Sequence, residues 1–220
     1  MKILTPNPRY AFTTRDGSPS DEAVIRETWC ENVYQIHPEH VARRGAVVVD
    51  IGANIGAVTV YAASLGQHVR VLAVEPERDN LNLLMRNVAD NNVEGQVTFA
   101  EIAISKTAGM GWIMPGHGHS LLGFEPGTGD PIRVASLAEL FAENDITECD
   151  VLKVDVEGAE YGIIAGADRD TLAKVRYLTL EFDAAPDDVF GPLVAKLAKT
   201  HGIQILGSPE RGGYIYARRY

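Results

Sequence analysis

Two apolar patterns alternate along the middle of the chain. Apolar runs such as Ala46-Val47-Val48-Val49, Val69 to Val74 (interrupted only by Arg70) and Val151 to Val154 (interrupted only by Lys153) have the composition of central strands covered on both faces. Between them, apolar residues return at helical spacing. Ile55 to Leu65 predicts one helix, and Leu81, Leu84, Met85 and Val88 share a face of the next. Val97-Thr98-Phe99-Ala100 predicts a third strand, with Ile102 and Ile104 continuing its packing. Asp150 to Asp155 and Tyr177 to Glu181 predict the fourth and fifth, with short helical segments over Ala159–Ala165 and Asp170–Lys174 between them. Strand, helix, strand, helix, strand is the order of a crossover-built parallel sheet.

Punctuation residues refine this outline. Residues 1–19, with three prolines and no period, read as a loosely specified arm. Ser20-Asp21-Glu22 caps a helix reaching about Trp29, and a second short helix after Pro38 stops at Gly45 with Arg43-Arg44 as its charged last turn. Ser136 and Glu139 form a capping-box pattern. Pro192 is expected to open the last helix. Ile203–Leu206 and Tyr214–Ala217 form an antiparallel pair, because the turn from Gly207 to Gly213 is too short for a parallel crossover. Thr107 to Pro131 breaks the rhythm with many glycines and the side chains Trp112, His117, His119 and Phe124. Such a stretch suits a functional hairpin or a substrate lid. The expectation is one α/β domain over residues 1–220, a Rossmann-like, mostly parallel sheet of about seven strands with one antiparallel strand near its edge, preceded by a helical arm to about residue 45.

Composition adds exclusions. Of 220 residues, 45% are hydrophobic and 23% charged, which suits a compact globule. The formal charge of −10 opposes a broad nucleic-acid surface, no apolar stretch is long enough for a membrane, and Met1 to Pro8 does not read as a secretory leader. A cytoplasmic location with neither nucleic-acid nor membrane partners is the expectation, and assembly into a homo-oligomer stays open. Cys30 and Cys149 lack metal-ligand company and read as idle or buried thiols.

The chemistry concentrates at strand ends. Asp50-Ile51-Gly52-Ala53-Asn54-Ile55-Gly56 joins the first central strand to its helix, with glycines where backbone must turn and a ligand must approach. Amides there form an electropositive patch. A dinucleotide loop would carry a glycine at the position of Asn54. Glu75 ends the second strand, followed by Pro76, and its carboxylate is suited to accept both hydroxyls of a ribose, of a dinucleotide or of S-adenosylmethionine. Asp50 is suited to face a cationic amino group. Along the fourth strand Lys153, Asp155 and Glu157 share a side, and a lysine in so apolar a strand needs Asp155 or Glu157 as partner. Asp155 is placed to orient or deprotonate an acceptor hydroxyl, and His117 or His119 to take the proton if the glycine-rich segment folds over the site. Asp155, Glu181 and Asp183 offer oxygen ligands for an optional magnesium ion. Glu157, Glu181, Trp112 and Tyr34 are candidates for substrate contact, although Tyr34 also suits core packing.

The segments Val48 to Gly56, Val74-Glu75-Pro76, Leu152 to Glu160 and Leu180-Glu181 together resemble the FkbM family of S-adenosylmethionine-dependent methyltransferases. The Lys-x-Asp-Val-Glu-Gly-x-Glu block is the most specific of them. The resemblance implies a class I methyltransferase sheet and O-methylation of a hydroxyl on a sugar or other specialised small molecule. It implies cofactor contacts from Asp50, Gly52, Asn54, Gly56 and Glu75, and adenine framing by Glu101, Ile102 and Ala103. It also places Lys153, Asp155 and Glu157 around methyl transfer. A nucleotide-binding oxidoreductase, or a noncatalytic binding protein on the same fold, is the competing expectation.

Overall fold

The structure of the protein, a computed structural model, describes residues 1–114, 121–156 and 158–220. The arm expected to be irregular begins instead with two short antiparallel strands, β1 (Lys2–Leu4) and β2 (Ala11–Thr13). Phe12 of β2 is fully buried. Helix α1 (Pro19–Arg26) starts where Ser18 Oγ accepts the Asp21 amide, and it runs into a π-helical turn, Glu27–Glu31, that stops at Asn32 in the left-handed region. A 3-10 turn, Pro38–Val41, follows. Arg43 is not a helix end: its guanidinium pairs with the buried Asp150 at 2.6 Å.

From there β3 (Val47–Ile51), α2 (Ala57–Ser64), β4 (Arg70–Val74), α3 (Arg78–Asp90) and β5 (Val97–Ala100) follow the expected alternation. After β6 (Ala103–Ile104), β7 (Gly109–Met114), β8 (Leu121–Gly123) and β9 (Asp130–Ala135), the chain enters α4 (Leu137–Glu143), whose start is the reciprocal Ser136–Glu139 capping box. Then come β10 (Cys149–Val154), α5 (Glu160–Gly166), α6 (Arg169–Ala173), β11 (Val175–Phe182), α7 (Asp187–Leu197), β12 (His201–Ser208) and β13 (Gly212–Arg219). Helix α7 opens at Asp187 behind Pro186, so Pro192 lies inside it and not at its start.

The main sheet has seven strands in the order β12-β13-β11-β10-β3-β4-β5. β3, β4, β5, β10 and β11 are parallel, and β13 runs antiparallel to both β11 and β12. One face is covered by α4 to α7 through residues such as Phe141, Ile163, Leu172 and Leu193. The other is covered by α2, α3 and the amino-terminal segment through Phe12, Ile25, Tyr34 and Val58. Sheet order reverses between β3 and β10, and in open α/β sheets the crevice beyond the carboxyl ends at that point holds the ligand.

The glycine-rich stretch contributes to a second sheet of four strands, β6-β9-β7-β8. Its β7–β8 hairpin pairs Trp112 with Gly123 and Ile113 with Leu122. The amino-terminal hairpin is docked differently. Asn87 of α3 accepts from the Thr13 amide at 2.7 Å and donates to its carbonyl at 3.0 Å, and Asn91 does the same for Ala11 at 2.9 and 2.8 Å. A helical step of four residues, about 6 Å, nearly matches a strand step of two, about 6.6 Å, so two side-chain amides substitute for a neighbouring strand. No helix among the described residues is long and apolar enough to cross a membrane.

Candidate functional site

Between β3 and α2 the backbone enters the left-handed region at Gly52, Asn54 and Gly56, with φ of +76°, +49° and +91°. The amides of Gly52 and Ala53 both donate to the Val74 carbonyl at 3.0 Å, that of Asn54 to Glu75 Oε2 at 2.8 Å, and that of Gly56 to the Ala53 carbonyl at 2.8 Å. The loop is therefore strapped to the end of β4. These four amides are thereby engaged internally, while α2 starts behind Gly56 without a side-chain cap. Gly52 admits no side chain, since a Cβ there would lie 1.8 Å from the Asp155 carbonyl oxygen.

Glu75 is 5% exposed. Its Oε2 accepts the Asn54 amide, and its Oε1 accepts the Glu77 amide at 2.9 Å and Asn80 Nδ2 at 3.4 Å. Burial pushes its pKa up, against the pull of those hydrogen bonds. A carboxylate has about four acceptor positions and these bonds use three of them, so Oε2 keeps capacity for a ligand's hydroxyl.

Lys153 is 2% exposed and lies between two carboxylates, Asp50 Oδ1 and Asp155 Oδ2, each 3.3 Å from Nζ. Nζ also donates to the carbonyls of Gly52 at 2.6 Å and Ile51 at 3.3 Å. Burial disfavours the ammonium, but Asp155 and Asp50 outweigh it and push the Lys153 pKa above its ordinary value. Lys153 is thus a charged tie between the loop after β3 and the end of β10, not a proton acceptor. Asp50 is fully buried, with Thr59 Oγ1 donating to its Oδ2 at 2.7 Å. The expectation that Asp50 faces a ligand's cationic amino group is corrected on this point, because its carboxylate is sealed behind Lys153 and Thr59. Asp155 keeps 23% of its side chain exposed, and its Oδ2 also accepts the Tyr34 hydroxyl at 2.8 Å. Burial, and after it Asp155, hold the Tyr34 phenol well above its ordinary range.

These groups border a cleft at the switch point. Gly52, Asn54, Glu75, Pro76 and Asn80 form one wall, Asp155, Val156 and Ala159 another, and Ile102, Ala103, Ile113 and Leu122 an apolar side. Glu101 is exposed and paired with Arg78 at 2.9 Å, outside this lining. Ile113, not Trp112, lines the cleft, as alternation along β7 requires. Gly56 packs against Leu84 instead of the cleft. Glu181 sits at the end of β11 opposite Tyr214. Burial, then Glu181, Glu27 and Asp155, push the Tyr214 phenol up, so the three carboxylates share one electrostatic neighbourhood. Among the described residues no group of three His, Cys, Asp or Glu side chains could hold a metal ion, so Asp155, Glu181 and Asp183 are not assembled as ligands. His117, His119 and Glu157 lie outside the described residues.

Three contributors escaped sequence reasoning. Thr59 and Asn80 carry no motif, and Arg15 lies in the arm. Glu160, 1% exposed, accepts the Gly158 amide at 2.8 Å and the Asp183 amide at 3.2 Å, binding the turn after β10 to the end of β11.

The sequence model described as Methyltransferase FkbM domain matches residues 50–215. The chain is 27% identical to the 31-O-demethyl-FK506 methyltransferase FkbM of Streptomyces tacrolimicus, over 92% of this chain and 89% of that one. It is 24% identical to the methyltransferase sdnD of Sordaria araneosa, over 78% of this chain and 81% of that one. Its fold is similar to that of the precorrin-6y C5,15-methyltransferase of Geobacter metallireducens GS-15, with a TM-score of 0.52 and 14% identity over 95% and 94% of the two chains.

Proposed function

The chain belongs to the FkbM methyltransferase family and is an S-adenosylmethionine-dependent methyltransferase, and from that premise we propose that it methylates a hydroxyl of a small natural product. The observation that carries the site assignment is the loop after β3, whose amides are engaged with β4 while Glu75 keeps acceptor capacity at its tip. A dinucleotide needs phosphate donors there, whereas a nucleoside with no phosphate needs the carboxylate and an apolar slot. Ile102 and Ala103 supply that slot, and Glu75 accepts a ribose hydroxyl. With Asp50 sealed, Asp155 is the carboxylate of the buried network that faces both the cofactor's amino end and the acceptor.

When bound, S-adenosylmethionine supplies an electrophilic methyl group on a sulfonium. The chain's part is alignment and proton removal. Tyr34 and Lys153 fix Asp155 Oδ2 from behind, which aims the remaining carboxylate edge at the cleft. A hydroxyl hydrogen-bonded there is oriented for in-line attack and loses its proton to Asp155 or to a base beside it. The acceptor being a natural product, with O as the methylated atom, is supported by the name of the Streptomyces relative.

Calorimetry tests the cofactor half. Saturable binding of S-adenosylmethionine and S-adenosylhomocysteine is expected, and binding of NADH with neither of those would sink the assignment. Asp155→Asn is expected to lower kcat by about 100-fold with a much smaller change in cofactor affinity. An unchanged kcat in single-turnover assays with labelled donor would remove Asp155 from the chemistry.

Affinity is also expected to fall on acidification, beginning above the ordinary glutamate range. Protonation of Glu75 through its raised pKa converts one acceptor oxygen into a donor. The same group acts oppositely on the ligand-free fold. A carboxyl whose pKa is raised by folding contributes stability present below its unfolded pKa and lost as pH rises through the folded one. Titrating S-adenosylhomocysteine from pH 8 downward against Glu75→Gln checks this, and identical pH profiles would refute it.

A further inference from the structure

Beyond the end of β2, Arg15 turns into the space between α1 and α3. Its Nε and Nη2 donate to the fully buried Asp21 carboxylate at 3.1 and 2.5 Å, and its backbone amide to the same group at 2.7 Å. Nη1 points the other way, to Asn80 Oδ1 at 2.9 Å. Asn80 is 5% exposed, and its Nδ2 donates to Glu77 Oε2 at 2.9 Å and reaches Glu75 Oε1 at 3.4 Å. An amide between a guanidinium and two carboxylates has one satisfying orientation, oxygen toward the cation and NH2 toward the anions. Without the guanidinium the Asn80 oxygen loses its donor, and the amide is held from one side only, by Glu77 and Glu75, so its position against Glu75 loosens.

We propose that Arg15 is a positioning residue for the cofactor's ribose: by fixing the Asn80 amide it holds the Glu75 carboxylate in the orientation that accepts a ribose hydroxyl. The inference rests on the cofactor reading above and extends it to a residue outside the segment, 50–215, matched by the family model. The docking of β2 on Asn87 and Asn91 is what delivers Arg15 to this place. The amino-terminal hairpin thereby sets donor affinity, while the groups at Asp155 set the rate. Arg15 does not line the cleft and reaches it only through Asn80, so its effect is confined to the ribose.

Calorimetry on the full chain with S-adenosylhomocysteine and its 2′-deoxy analogue tests this. The unsubstituted protein is expected to prefer the natural ligand. Arg15→Gln is expected to weaken the natural ligand by about tenfold and the analogue less, so that the preference narrows. Asn80→Ser leaves the Arg15–Asp21 pair in place and is expected to narrow it equally. Arg15→Lys keeps a charge at Asp21 without the fork that spans to Asn80, and gives the same reading if Arg15→Gln does not fold. An unchanged preference in the Arg15 variants, or a loss shared equally by both ligands, overturns the proposal. Narrowing in Asn80→Ser alone assigns the effect to Asn80 and also overturns it. Failure of the unsubstituted protein to bind either ligand overturns the cofactor reading itself.

Discussion

Gly52→Ala is expected to abolish S-adenosylhomocysteine binding and to destabilise the protein by at least about 3 kcal/mol. Two causes add. The φ of +76° disfavours any side chain, by about 1–2 kcal/mol. The new Cβ would also lie 1.8 Å from the Asp155 carbonyl oxygen, and that atom belongs to a backbone whose amide donates to Ile51 at 3.2 Å. The clash is thus relieved only by separating the ends of β3 and β10, between which the cleft lies. Gly45 provides the control, with φ of +71° and open space around its virtual Cβ. Gly45→Ala should incur only the backbone cost and leave ligand affinity intact. Thermal denaturation and calorimetry on both variants separate the causes, and equal behaviour of the two would refute the argument.

Lys153→Met is expected to be similarly severe, about 3–5 kcal/mol, because it leaves the sealed Asp50 charge without a cation. The cost belongs to the orphaned carboxylate more than to the lost contact. Adding Asp50→Asn should therefore recover a large part of it, and a strictly additive double variant would contradict the reading. Alkaline titration gives a second check. A lysine whose pKa rises on folding contributes stability fully present below its unfolded pKa and lost as pH climbs through the folded one. The unsubstituted protein should lose stability above the ordinary lysine range, and the variant should lack that component.

The central sheet was legible because β3, β4 and β10 carry runs that only a strand covered on both faces accommodates, and because a short turn dictated the β12–β13 pair. The Ser136 and Glu139 cap was legible because its chemistry is local. What escaped depends on distant partners. Asp50 ends its strand as read, but whether it meets ligand or Lys153 is settled by a residue on another strand. Trp112 stood out by its size, yet the register of β7 turns Ile113 to the cleft instead. β1 and β2, three residues each, are too short to show an apolar period, and β2 is held by two asparagine amides. Arg15 and Asn80 were invisible for the same reason: each acts through a partner many positions away.

The placement of β13 between β11 and β12 has a consequence for synthesis on the ribosome. β11 and β12 are made first, yet neither pairs with the other, and each waits for β13, which follows both in the chain. Until Gly212–Arg219 emerges, β11 presents an open edge of main-chain donors and acceptors beside an apolar face. Such an edge invites pairing with another nascent copy, so chains stalled before β13 are the species a chaperone must shield.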